Sequence, residues 1–305
     1  MNASIAQRGH ELVSGRTVLG IIGGSGLYQI DGLERARWEA IDSPFGSPSD
    51  SLLLGEIAGV DVVFLPRHRR GHVLSPSSIN YRANIDVLKR VGVTDVISVS
   101  ACGSLREDLH PGAFVLVDQF IDRTFARDKS FFGEGIVAHV SMAHPVCPKL
   151  VDALARAADA ERISYRRGGT YVVMEGPQFS TLAESRLYRS WGCDVVGMTN
   201  MPEAKLAREA ELPYATVAVV TDYDCWHPDH DHVDVASIIR VLNENVVHAR
   251  ALLTRVIPML GPERTPSPAF IERALDNAII TAPGARDPSR VRQLDAIAAR
   301  VLGER

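Results

Sequence analysis

Seven apolar runs rich in valine and isoleucine recur along the chain, and they constrain its fold more than any other feature. They read TVLGII, VDVVFL, DVISVSA, GAFVLVDQFI, TYVVM, DVVGM and YATVAVV. A strand covered on one face alternates apolar with polar residues, whereas runs this continuous belong to strands buried on both faces. Covering both faces takes helices, and helical patterns lie between the runs. Residues 80–91 place Ile85, Leu88 and Val91 at helical spacing, and residues 146–160, 181–190 and 202–211 are rich in Ala, Leu, Arg and Glu. From about Val233 to Val256 the residues Val235, Ile238, Ile239, Leu242, Val246, Ala249 and Leu253 build one apolar stripe. Strands alternating with helices predict a single α/β domain with a central mixed β-sheet flanked by helices.

Proline density in GPERTPSP, Gly261–Pro268, stops the preceding helix. Residues 1–260 therefore read as the α/β domain and 261–305 as a C-terminal helical appendage, its tail expected to be partly mobile. A formal net charge of −4 over 305 residues supplies no bulk attraction for nucleic acid or a membrane surface. The N-terminal MNASIAQRGHELVSGRT has no apolar core of the signal-peptide kind, and no apolar stretch approaches membrane-spanning length. Cys102, Cys147, Cys193 and Cys225 are scattered without CxxC spacing, each in or beside an apolar segment. That pattern favours buried free thiols and a cytoplasmic compartment over disulfides or a metal framework.

Polar chemistry gathers where the apolar runs end. After the first run, IIGGSGLY (Ile21–Tyr28) offers free backbone N–H groups and the Ser25 hydroxyl, a turn able to hold an anion. It is neither a dinucleotide fingerprint nor a Walker loop, since Gln29 stands where a third glycine belongs and no Gly-Lys-Ser/Thr is present. LPRHRRGH (Leu65–His72) feeds Arg67 and His68 straight from a strand end, and an arginine fork suits phosphate oxygens. Arg69 and Arg70 read better as solvated loop residues. SVSACGSL closes another run with Ser100, Ala101 and Gly103, small enough for close backbone approach. Three strand ends of this kind fit free inorganic phosphate, because open α/β sheets bind ligands beyond strand ends.

Taken alone, Phe179 in MEGPQFSTLAES reads as core with Ser180 a small polar neighbour, and Met198 and Thr199 in VVGMTN read as core filler and helix cap. HPDHDHVD (His227–Asp234) is rich in His and Asp, but Pro228 marks it as loop and no metal-ligand spacing supports it. A charged lid is the better reading, with no metal. The sharpest signal is TDYDCW. Asp222 and Asp224 follow a buried strand two residues apart, which in extended backbone points them to one side. Like charges that close repel, so a ligand must need both.

The ordered set IIGGSGLY, PRH, SACGSLRE, DQFIDRT, EGPQFST, DVVGMTNMPEA and VTDYDCW closely resembles the 5′-methylthioadenosine phosphorylases of the trimeric purine nucleoside phosphorylase superfamily. The likeness runs from about Val18 to Leu260, AIITAP (Ala278–Pro283) resembles the family's usual end, and residues 284–305 are an extension. The resemblance implies a nucleoside-phosphorylase fold, homotrimers, and a nucleoside plus inorganic phosphate as substrates, with no other cofactor. It implies phosphate binding by Ser25, Arg67, His68, Ser100, Ala101 and Thr199. Met198 matches the position against the ribose, Phe179 the one packing on base and sugar, and Asp222 and Asp224 the pair facing the purine edge. Relatives that take 6-oxopurines carry Glu and Asn where this chain has Ser180 and Asp222, and an ionised acid there favours an adenine edge. At the 5′ side Val235 stands where relatives for ordinary nucleosides carry His, so the implied wall is apolar and suits a methylthio group. Arg69 departs from the family, whose members usually carry Gly there.

Overall fold

A computed structural model describes residues 15–303 apart from Ser25, Tyr28 and 229–234; for 235–238 and 242 it describes the backbone alone. The strands are β1 (Val18–Gly23), β2 (Glu34–Glu39), β3 (Leu52–Ile57), β4 (Val60–Pro66), β5 (Asp95–Ser104), β6 (Phe114–Leu116), β7 (Gln119–Asp122), β8 (Tyr165–Arg167), β9 (Thr170–Val173), β10 (Val195–Gly197) and β11 (Tyr214–Asp222). The helices are α1 (Tyr81–Arg90), α2 (Pro148–Glu161), α3 (Leu182–Ser190), α4 (Asn200–Glu209), α5 (Val235–Leu260), α6 (Pro288–Gln293) and α7 (Ala299–Leu302).

All the strands join one sheet, in the order β2-β3-β4-β1-β5-β10-β9-β7, while β11 pairs with β5 and leads on through β6 to β8. It is mixed: β1 runs parallel to β4 and β5, and β11 parallel to β5, whereas β10 runs antiparallel to β5 and β2-β3-β4 is an antiparallel ribbon. The ten-residue β5 is the pivot. Its first half pairs with β1, its end with β10, and nearly its whole length with β11.

Side chains from β11 show why its run is apolar throughout. Ala218 and Val220 enter the core under α1 and α4, and Val217 and Val219 enter the core under α2 and α5. Alternation along a strand sends neighbours to opposite faces, so both faces need apolar residues. By contrast ERARWE of β2 is exposed for five of its six residues, an edge strand with no apolar run for a sequence pattern to find. GAFVLVDQFI is two strands, because β6 pairs with β8 and β7 with β9. The long helical stripe is α5, whose register ends at Leu260 rather than Val256.

Beyond Leu260, the pattern at 270–279 yields only a three-residue turn, Ile271–Arg273, yet Ile271, Leu275 and Ala278 are buried. The tail departs from the expectation of mobility over residues 288–303. Leu294, Ile297 and Ala298 lie in the same core as α1 and α4, Asp295 pairs with Arg90, and Arg300 pairs with Glu211 and Asp276. The four cysteines are free, three of them buried. No helix among the described residues is long and apolar enough to cross a membrane.

Candidate active site

Sheet register places the strand ends that carry polar residues side by side. Gly23 ends β1 opposite Pro66 of β4, and the Arg67 N–H donates to Gly23 O at 2.9 Å. Ile22 is paired with Ser98 on β5. Because β10 runs antiparallel to β5, with Val196 opposite Gly103, the chain leaving it after Met198–Thr199 returns along β5, where Asn200 meets Ser100. Thus Arg67, His68, Ser100, Ala101 and Thr199, from three separate runs, border one region. Ser25 lies outside the described residues, in the turn after β1.

Under this region is a buried polar network that the motifs did not foretell. Asn200 accepts from the Ser100 hydroxyl at 2.8 Å and its amide donates to Thr216 Oγ1 and Tyr214 Oη at 2.7 and 2.8 Å. Tyr214 in turn donates to Glu203 at 2.9 Å. Thr199 occupies the N-cap position of α4 but makes no side-chain cap hydrogen bond, so its hydroxyl is not spent on the helix.

Arg67 corrects the simple picture of a fork held out to a ligand. Its guanidinium is 2% exposed and grips Glu203 with Nε and Nη2 at 2.9 and 3.1 Å, while Nη1 donates to Val99 O and Nη2 to Ser98 Oγ. A buried cation must be paired, and Glu203, one of two acids on α4, gave no sequence signal of that role. Burial works against the charge of Arg67, but the Glu203 carboxylate outweighs it and holds the group protonated. Arg69 and Arg70 turn away. Arg69 donates to Ser49 O at 2.7 Å and Arg70 pairs with Asp50 at 2.8 Å. Arg69 also has φ +62, the left-handed region that explains why glycine suits that position.

His68 is fixed by its own turn. Its Nδ1 lies 2.8 Å from Leu74 O, and its ring stacks on His72 with centroids 4.3 Å apart. Burial pushes its imidazole down to about 4; Arg67, His72 and Arg127 act in the same direction, and the bond to Leu74 opposes them.

The acid pair is built differently from the expectation. Asp222 is the last residue of β11, whose register slips between Val220 and Asp222, and Asp224 sits in a turn with φ +51. Strand alternation therefore does not align them. The turn does, with the Asp224 N–H donating to Asp222 Oδ1 at 2.8 Å. Gly103 makes room: a Cβ there would stand 2.9 Å from Asp222 Oδ1 and 3.3 Å from the Asp224 backbone nitrogen. Burial raises both carboxyls above their ordinary range. For Asp222 the neighbouring Asp224 adds to the rise, against hydrogen bonds from Thr221 and the Asp224 N–H. Two carboxyls so placed hold a proton to higher pH than an isolated Asp does.

Around the acids, Ser180 is buried and its carbonyl accepts from Cys225 Sγ at 3.3 Å, which ties its turn to the Asp224 turn. Phe179, one residue earlier, is 41% exposed, a ring face open to contact rather than core. Met198 is half-buried; it presses against Gly176, where φ is +66 and any Cβ would meet Met198 Sδ. Arg127, unremarked in the sequence, clamps the carbonyls of Glu175, Met198 and Met201 at 2.6–2.7 Å. The Val235 side chain lies outside the described residues, as do 229–234 of the charged lid segment. Among the described residues no cluster of His, Cys, Asp and Glu could hold a metal ion.

The model of the phosphorylase superfamily matches residues 18–258, which spans β1 to nearly the end of α5. The chain belongs to that superfamily. Within it, the S-methyl-5′-thioadenosine phosphorylase of Rhodospirillum rubrum is 63% identical over 94% of this chain and 97% of its own length. That of Bradyrhizobium diazoefficiens is 64% identical over 94% and 99%. A methylthioadenosine phosphorylase structure from an antarctic soil metagenomic library superposes with a TM-score of 0.87 at 47% identity, covering 92% of this chain and 99% of that one. A Schistosoma mansoni methylthioadenosine phosphorylase in complex with adenine superposes with a TM-score of 0.78 at 38% identity, covering 85% and 96%. At these identities the chain is a member of the S-methyl-5′-thioadenosine phosphorylase family, a pentosyltransferase with the α/β fold of that family.

Proposed function

We propose that the chain cleaves 5′-methylthioadenosine with inorganic phosphate, yielding adenine and 5-methylthioribose 1-phosphate. The pair Asp222–Asp224 beside Gly103, Asp224 buried and Asp222 half-buried, carries the reading. A purine anion leaves poorly at neutral pH, so N7 must gain a proton as the glycosidic bond breaks. Asp222, with its raised pKa, supplies that proton; Asp224 accepts from the 6-amino group and keeps Asp222 protonated. As C1′ becomes oxocarbenium-like, a phosphate oxygen attacks from the opposite face. The phosphate rests among Ser25, His68, Ser100, Ala101 and Thr199, and Arg67 contributes through its grip on Ser98 and Val99. Phe179 packs on base and sugar, Met198 on the ribose, Ser180 beside the purine, and Val235 against the methylthio group. Positioning and electrostatics carry the rate, with no covalent intermediate.

Homotrimers in the cytoplasm complete the proposal. Phe125 and Ile280 are 82% and 64% exposed, large apolar surface of the kind a neighbouring copy would cover. The deciding experiment measures base release from methylthioadenosine, methylthioinosine, adenosine and inosine, each with and without phosphate. Phosphate-dependent adenine release, fastest from methylthioadenosine, is the expected result. Faster hypoxanthine release would mean that a protonated Asp222 donates to O6 and would overturn the adenine assignment. Asp222→Ala is expected to lose base release by a factor of at least about 10² while staying folded, and near-normal turnover would remove it from the mechanism.

A further inference from the structure

His68 can present only one of its nitrogens to a ligand, and the structure fixes which. A carbonyl oxygen has no proton to give, so the 2.8 Å contact between Nδ1 and Leu74 O requires the proton on Nδ1. The turn that holds Leu74 is itself closed on His68, whose own carbonyl accepts from the N–H groups of Val73 and Leu74 at 3.0 and 3.2 Å. Flipping the ring to offer Nδ1 would give up its bond to Leu74 O. Nε2 is then a bare lone pair for as long as the ring is neutral.

The groups facing this ring keep it neutral. Arg67 adjoins it in sequence, Arg127 bears on it from the loop after β7, and His72 stacks flat against it. Each disfavours a second proton, and burial acts the same way, bringing the imidazole down to about 4. A neutral acceptor beside an anion site looks like a defect, since a lone pair repels an oxyanion. It ceases to be one if the anion carries its own proton. Hydrogen phosphate dianion has one P–OH at neutral pH; sulfate and monofluorophosphate have the same charge and nearly the same size and have none.

We propose that His68 Nε2 accepts the P–OH hydrogen bond of hydrogen phosphate and so selects protonated oxyanions over proton-free ones of equal charge. This rests on the reading that phosphate binds at His68. The hydrogen bond also orients the anion, with the P–OH turned to His68 and an unprotonated oxygen free for the sugar carbon. Specificity arises because a proton-free dianion leaves two acceptors facing each other, and sites built around a ligand hydroxyl reject analogues without it.

The test is binding rather than turnover, so it separates from the question of which nucleoside is cleaved. Dissociation constants are measured by calorimetry near neutral pH for phosphate, arsenate, sulfate and monofluorophosphate. Phosphate and arsenate, both protonated, are expected to bind at least roughly tenfold tighter than sulfate and monofluorophosphate, the equivalent of about one hydrogen bond. In His68→Gln, whose amide can donate or accept, that ratio should fall toward one, with phosphate itself weakened. Equal binding of all four anions by the unsubstituted protein would overturn the proposal, as would an unchanged ratio in the glutamine variant. Should that variant fail to fold, the four-anion series on the unsubstituted protein decides alone. A protein with the expected selectivity and no base release would refute the proposed reaction while leaving the role of His68 standing.

Discussion

Single atoms at Gly103 and Asp222 carry much of the proposed chemistry. Gly103→Ala puts a methyl within 2.9 Å of Asp222 Oδ1 and 3.3 Å of the Asp224 backbone, so the acid pair must shift. Displacements of that order in a reacting group cost about 10²-fold, and assays of base release on the folded variant should show a loss of that size. Asp222 also links stability to pH. Its folded pKa is raised, so the folded state holds the proton more tightly, and the associated stability is complete below the unfolded pKa and lost as pH rises through the folded one. Asp222→Asn removes the half-buried charge, its oxygen still accepting from the Asp224 N–H and its amide donating to Thr221. Melting temperatures should therefore favour the Asn variant at pH 8, with the gap closing toward pH 4. A gap that widened toward acid would contradict the raised pKa.

Elements meet the site through α4 as much as through the strand ends. Thr199 opens this helix, Asn200 holds Ser100, and Glu203 one turn on holds Arg67, so the helix orders three of the strand ends at once. Replacing Glu203 by Ala leaves a guanidinium buried without its partner. Such truncations destabilise by about 3–5 kcal/mol, read by denaturant unfolding. The double variant Arg67→Met/Glu203→Leu should recover most of that loss, because the desolvation penalty vanishes with the charges. Equal destabilisation in single and double variants would show that packing rather than charge sets the cost. None of this was legible in NMPEAKLAREA, where Glu203 looks like any helical acid; only the approach of β4 makes it a counter-ion.

Across the whole molecule the C-terminal tail is part of the fold. Leu294 and Ile297 are each 2% exposed within the core under α1 and α4, and Glu211, itself buried, takes the Arg300 guanidinium. Leu294→Ala is expected to lower stability by about 2–5 kcal/mol. Truncation after Asp287 should cost more, since it also strips Glu211 of its cation and Arg90 of Asp295. A truncated chain with an unchanged melting temperature would show that the tail contributes nothing.

Much of this was open to reading from the sequence, for one physical reason: local backbone periodicity writes itself into composition. Strands buried on both faces must be apolar throughout, so β1, β4, β5 and β11 stood out, and amphipathic helices such as α5 display their stripe. Small polar residues at strand ends marked the proposed anion side, and TDYDCW marked the acids. The tertiary structure alone decided everything set by neighbours distant in sequence. An exposed edge strand such as β2 has no pattern to show, and GAFVLVDQFI splits into two strands that pair with different partners. Asp222 and Asp224 meet through a register slip and a left-handed turn, not through strand alternation. Arg67 is turned inward by Glu203, 136 residues away, and His68 has its tautomer chosen by a carbonyl across its own turn. Protonation and pairing depend on which groups share a low-dielectric interior, and only the folded chain brings those groups together.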